Sequence, residues 1–297
     1  MRKVNVVLIF GSAPDVTSIR HWDLSFFTSC IAINNAWQVT PDWDYLIFPE
    51  DFPIDRRPQL PVGTHQQIIT ANEFVLHQNN FGGFVYAGGT MAFTAGYWAL
   101  GALKPDIIAY VGCDMVYTTH NGKSSHFYGS GTADPLRKDI TLQSLEAKSN
   151  RLMALVNKQN CAVVNMSSLS ETRLTFPRSA PLDFQQSFNH AKLLKEQNQA
   201  VDSQKLSMAL EAEKRLGYIV PSGRYWEGIQ RFDPVQLRMI DDIWMETFKK
   251  HARTQQAKVI FAGVGFGNVE DKSLPPNLNE AYLLQYDGLQ FLDVEQN

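Results

Sequence analysis

Cysteine is scarce in this chain, with three residues (Cys30, Cys113 and Cys161) among 297. An odd number without metal-ligand spacing excludes a disulfide framework and a cysteine-based zinc site, and points to free thiols in a reducing compartment. The expected location is therefore the cytoplasm, with peripheral contact to the inner membrane as the furthest membrane association. No run approaches the roughly 18 consecutive apolar residues that cross a bilayer. The basic start and the apolar run Val4 to Phe10 meet no small-residue cleavage site, so the run reads as a strand and not a leader. Excess charge is missing too: 27 Lys and Arg against 30 Asp and Glu leave a formal net charge of −3. That balance supplies no global field for nucleic acid, although a local phosphate site stays open. Internal repeats and low-complexity tracts are absent.

What remains is a composition that folds. Hydrophobic residues make up 44% and aromatic residues 11% of the chain, enough for a packed core in one large domain or two modest ones. Short apolar runs recur at Val4 to Phe10, Cys30 to Ile33, Tyr45 to Phe48, Ile107 to Val111, Cys161 to Val164 and Val259 to Phe261. They lack the polar alternation of a half-solvated sheet and are separated by helix-length segments. This predicts an α/β, doubly wound, mostly parallel sheet covered on both faces.

Thr90 to Leu103 is apolar nearly all round, with Thr90 as its cap and Lys104-Pro105 as its stop, and predicts a buried helix. Thr141 to Asn157 predicts an amphipathic helix leading into the Cys161 strand. Beyond Asn165 the chain turns rich in Ser and Pro, then in Lys, Glu and Gln. A boundary near residue 180 follows: residues 1–180 form the Rossmann-like domain, expected from its strand-end loops to bind a nucleotide, and 181–297 a mostly helical extension packed on it, with one further strand near 258–262. A helix opens at Asp233-Pro234 with an apolar stripe through Met239, Ile240, Ile243, Trp244 and Phe248. The stripe packs on the core, or else serves a membrane or a homo-oligomer interface.

In open parallel sheets, ligands bind beyond the carboxyl ends of the strands. Those ends carry Gly11-Ser12-Ala13-Pro14, Asn34-Asn35, Pro49-Glu50-Asp51, Gly112-Cys113-Asp114 and Asn165. The first turn lets backbone approach a phosphate, and the Asn pair can hydrogen-bond a base or ribose, or form an Asx turn. Two other motifs fail on position. Asp42-Trp43-Asp44 has the form of a metal-binding D-x-D, yet it precedes its strand and reads as a surface loop. Gly263 to Asn268 follows a strand but lacks the last glycine of a dinucleotide loop, and Pro275-Pro276 cuts short the helix such a loop needs. The densest candidate is Gly112 to Gly131, a loop of about twenty residues, a length that is often functional. Within it His126 lies in Ser-Ser-His-Phe-Tyr-Gly, next to two aromatic residues, where a neutral imidazole can accept a proton or simply complete a structural loop; His120 reads as solvated.

The ordered segments GSAPD, AINNAW, YAGGTMAFTAGYWALGALKPDIIAYVGCDM and SSHFYGSGTADPL resemble the bacterial sialyltransferases of glycosyltransferase family 42 and the related motility-associated glycosylation family. The resemblance spans roughly residues 3 to 170 at the level of motifs. It implies a Rossmann-like domain with a smaller lid, and a metal-independent, inverting transfer of sugar from a cytidine monophosphate (CMP) donor to a carbohydrate acceptor, with no cofactor. It further implies nucleotide contacts from Gly11, Ser12, Ala13 and Pro14, from Asn34, and from Gly89 and Thr90; Asn35, Gly112 and Asp114 join the expected nucleotide site by their position at strand carboxyl ends. His126 is then the general base and Tyr117 the donor to the departing phosphate. Glu50, by its strand-end position, and Tyr128, by its place beside His126, are the expected substrate contacts. Only eleven residues separate Asp114 from His126, too few for a lid, so the helices from 185 to 253 are the expected cover. Two other functions fit the scaffold. One is a Mg²⁺-dependent pterin or nucleotide diphosphotransferase using Glu50, Asp51 and Asp114; the other is a non-catalytic nucleotide or carbohydrate binder.

Overall fold

The computed structural model describes residues 3–117, 125–129, 139–181 and 189–248. The expected strand near 258–262 and the Gly263 loop lie outside these residues. Six strands form one all-parallel sheet: β1 (Val6–Phe10), β2 (Ser29–Ile33), β3 (Tyr45–Ile47), β4 (Gln67–Ile69), β5 (Ile107–Val111) and β6 (Ala162–Asn165), in the order β4-β3-β2-β1-β5-β6. The chain winds outward from β1 in one direction, then crosses back to place β5 on its other side. The switch point therefore falls between β1 and β5, the place where the loops of an open sheet part to admit a ligand. This is a Rossmann-like α/β fold. Strand β4 is an addition to the sequence expectation, being three residues at an edge.

Side chains alternate across the sheet, and each face builds its own core. Val7, Ile9, Ile31, Ile33, Ile108 and Val163 join one apolar cluster, while Val6, Leu8, Phe10, Ala32, Leu46 and Val111 join the other. Because both sets are buried, every position in the central strands must be apolar, which is why the strands read as unbroken apolar runs. The first face is covered by α1 (Ala71–Asn80), α2 (Phe84–Ala87), α3 (Met91–Trp98), α4 (Leu145–Lys158), α6 (Ser203–Leu216) and α7 (Pro234–Glu246). The second is covered largely by 3-10 turns that bring in Val16, Ile19 and Ala36 and by the bend at Phe52, with Leu193 of α5 (His190–Ala200) packed against this cluster.

Local signals set the helix ends. Thr90 caps α3 through Phe93 N, and the helix runs on as a π-turn from Ala99 to Leu103. Helix α4 starts later than its periodicity suggests: Thr141 lies in a 3-10 turn, and Ser144 caps the helix proper through Ala147 N. Asp233 caps α7 with Pro234 at its first position, and Ile240 and Trp244 of its apolar stripe are buried in the core while Met239 stays exposed. Asp42-Trp43-Asp44 stands at the amino end of β3 as expected, but it is more than surface: Trp43 is buried, and Asp44 Oδ2 accepts the Cys30 amide at 2.7 Å. The three cysteines are buried and unpaired.

Candidate functional site

At the switch point the ends of β1 and β5 are locked together. Gly11 N donates to Val111 O at 3.0 Å and Ala13 N to Gly112 O at 2.9 Å. The approach is so close that a Cβ on Gly11 would lie 2.4 Å from Gly112 O, and Gly112 itself has φ of +65°. Glycine is therefore favoured at both positions, at Gly11 by the backbone contact and at Gly112 by its positive φ and the Val16 side chain 2.8 Å from where a Cβ would lie. The same bonds occupy two amides that were expected to face a phosphate, which leaves Ser12 as the member of this turn with a side chain to offer a ligand.

Onto this turn the chain lays the segment that carries His126. Phe127 N donates to Ser12 O at 3.0 Å, and Gly129 N closes the turn onto His126 O at 3.0 Å. Phe127 packs into the second core cluster, and its neighbours stack on each other. The His126 ring lies 5.7 Å from Tyr117 and 5.0 Å from Tyr128, with interplanar angles of 26° and 28°. Tyr117 and His126 are thus joined in one column, although residues 118–124, including His120, and 130–138 lie outside the described residues. Tyr128 forms its exposed end.

Burial in the column shifts both titratable groups toward their neutral forms. Burial holds the His126 pKa below the ordinary value of 6.5, so the ring is neutral at pH 7. Its Nδ1 is 2.8 Å from Ser125 Oγ; in the tautomer where Nδ1–H donates there, the Nε2 lone pair is the basic site. Burial pushes the Tyr117 hydroxyl up to about 12, which keeps it protonated and a hydrogen-bond donor. A stability prediction follows from the histidine. The unfolded chain takes up a proton near pH 6.5 that the folded ring refuses until lower pH, so this group's contribution is lost as pH falls through that interval. Thermal melts between pH 7 and pH 5 should show a steeper loss for the native chain than for His126→Gln.

Next along the edge, β2 ends at Asn34 and Asn35. Asn34 holds φ of +51°, and Met115 beyond β5 holds +54°, a left-handed conformation that asparagine tolerates and methionine adopts at a cost. The Oδ1 atoms of Asn34 and Asn35 are buried without a hydrogen-bond partner among the described residues. Buried amide oxygens call for a donor, which an amino or hydroxyl group of a ligand can supply.

Other predicted residues are placed differently. Asp114 is 1% exposed, its Oδ1 sits 3.5 Å from Asn165 Nδ2, its Oδ2 is buried without a hydrogen-bond partner among the described residues, and burial raises its pKa. Glu50 is exposed and ion-paired with Arg224 at 3.2 Å. The carboxylates invoked for Mg²⁺ are therefore not gathered, and no group of three or more potential metal ligands occurs among the described residues. Thr90 uses its hydroxyl to cap α3, while Gly89 N donates to Thr141 Oγ1 at 3.0 Å. Sequence reasoning missed the group around Gly89. Asp139 accepts from Thr141 N at 2.7 Å and from the Tyr225 hydroxyl at 2.5 Å. Tyr225 is distant in sequence and carries no motif; an exposed-looking Arg-Tyr-Trp run was its only signal.

Among the described residues no helix is long and apolar enough to cross a membrane. Residues 227–292 match a family described as a domain of unknown function, DUF8840, a stretch that includes α7 and covers less than a quarter of the chain. Searches of curated proteins and of solved structures found no match.

Proposed function

We propose that this chain is a sialyltransferase-like glycosyltransferase that moves a sugar from a CMP-type donor to a carbohydrate acceptor, with inversion and without a metal. The observation that carries this is the Tyr117–His126–Tyr128 column anchored to the Ser12 turn at the switch point. Its chemistry suits a single displacement. The acceptor oxygen attacks the anomeric carbon as the bond from that carbon to the phosphate oxygen breaks. Neutral His126 takes the acceptor proton. Protonated Tyr117 donates a hydrogen bond to the phosphate as its negative charge grows, the moment at which an aimed donor lowers the barrier most. The amide oxygens of Asn34 and Asn35 supply acceptors for the nucleoside, and Ser12 a hydroxyl near its phosphate. The work of the enzyme on this reading is cytoplasmic synthesis of surface carbohydrate.

A thermal-shift series with CMP, UMP, GMP and AMP, each with and without Mg²⁺, tests it. A ligand selective for the folded form raises Tm in proportion to the logarithm of its concentration over Kd, about 2.7 kcal/mol at a hundredfold excess. CMP should raise Tm most, equally without Mg²⁺. Preference for another base, or a shift that needs Mg²⁺, would remove the CMP donor from the account.

A further inference from the structure

From the placement of residues 223–231 we infer a saccharide-binding platform, with the ring of Trp226 as its floor and Arg224 and Glu50 as its polar rim. The segment enters through Gly223, whose φ is +77° and where a Cβ would lie 2.8 Å from Val75 Cγ2 and 3.1 Å from Phe84 Cε2. Tyr225 then fixes it at both ends. Its ring stacks on Phe84 at 6.3 Å and its hydroxyl bonds Asp139. That hydroxyl lies where a Cβ on Gly89 would be, at 2.3 Å, so the segment rests directly on the turn before α3.

This anchorage turns two neighbours outward. Trp226 stands edge-on to Tyr225 at 5.4 Å and 76°, and is 56% exposed. Arg224 reaches across to Glu50, beyond the carboxyl end of β3, with Nη2 at 3.4 and 3.2 Å from the two carboxylate oxygens, and its Nη1 is 3.7 Å from Glu227. Both members of the Arg224–Glu50 pair are about half exposed. An exposed wide aromatic ring on an anchored segment, two residues along the chain from paired donors and acceptors, matches a sugar, which offers a C–H face for stacking and hydroxyls around its rim. A bilayer is the poorer fit, because Arg224 is already flanked by Glu50 and Glu227 and leaves little positive charge for anionic lipid.

The inference deepens the proposed transfer by naming where its carbohydrate is held, yet its test is separate. The fluorescently labelled full chain is applied to an array of immobilised oligosaccharides and to anionic phosphatidylglycerol vesicles, and the CMP thermal shift is recorded in parallel. The native chain should be retained by a subset of glycans. Trp226→Ala and Arg224→Gln should each weaken that retention about tenfold, the order expected for one lost anchor. Trp226→Tyr should keep most of it, and all three should keep the native CMP response. A native chain that holds no glycan, variants that hold it as well as the native chain, equal loss in Trp226→Tyr, or Trp226-dependent retention on vesicles in place of glycans overturns the platform. Loss of the CMP response alone overturns the donor and leaves the platform standing.

Discussion

Arg151→Ala should be about 3–5 kcal/mol less stable than the native chain, the usual consequence of stranding one member of a buried ion pair. For a chain of this size that is a fall of roughly 6–20 °C in Tm. The guanidinium is held on every side. It bonds both oxygens of Glu213 at 2.8 Å, Tyr97 Oη at 2.7 Å and Phe81 O at 2.6 Å. Burial alone would favour loss of its charge, but the Glu213 carboxylate outweighs it and holds the pKa above the ordinary value. The same carboxylate accepts Trp244 Nε1 at 2.8 Å, so one network joins α3, α4, α6 and α7. One turn back on α4, Lys148 pairs with Asp241 at 2.6 Å. Removing Arg151 leaves Glu213 charged with Trp244 as its remaining strong donor. The double variant Arg151→Met with Glu213→Gln removes both charges and keeps an acceptor for Trp244, and should recover much of the loss. Denaturant or thermal melts of the three proteins decide the matter. Equal stability of all three would mean that apolar packing alone fastens the C-terminal helices.

His126→Ala should lower sugar transfer by roughly 10²–10⁴, the range of a single positioned base. CMP affinity should stay close to native, because the Ser12 turn and the asparagine pair remain. Ring loss also opens the Tyr117–Tyr128 stack, so the comparison needs His126→Gln, which keeps much of the volume and a polar end but cannot serve as a base. Both variants should lose turnover alike. Turnover retained in either one removes the base role.

The strands were legible because burial on both faces forces consecutive apolar residues, as in Ile107 to Val111, and the caps at Thr90 and Asp233 were legible because they act over two or three residues. Strand β4 was not: three residues with an exposed Gln67 carry no such pattern, and pairing with β3 alone defines it. Helix α4 misled in a more instructive way. Its alternation of polar and apolar residues reads as a half-solvated helix, yet Lys148, Ser149, Asn150 and Arg151 are all buried. Their partners Glu213, Asp241 and Thr175 lie on distant segments, and nothing local marks a charge that will be paired inside. The site divides along the same line. The turn at Gly11 and the His126 segment announce themselves by composition, whereas the Asp139–Tyr225 contact that seats the Trp226 segment depends on residues 86 apart in the chain.

In the proposed transfer a nucleotide at the β1–β5 switch point faces the His126 ring. Side-chain ¹H–¹⁵N NMR of the histidines during a CMP titration without divalent metal tests this most directly. The ring signals of His126 should move saturably with CMP, at the concentrations that raise Tm, and its titration should centre below pH 6.5. His126 signals that stay fixed while CMP saturates the protein would place the nucleotide elsewhere and contradict the assignment.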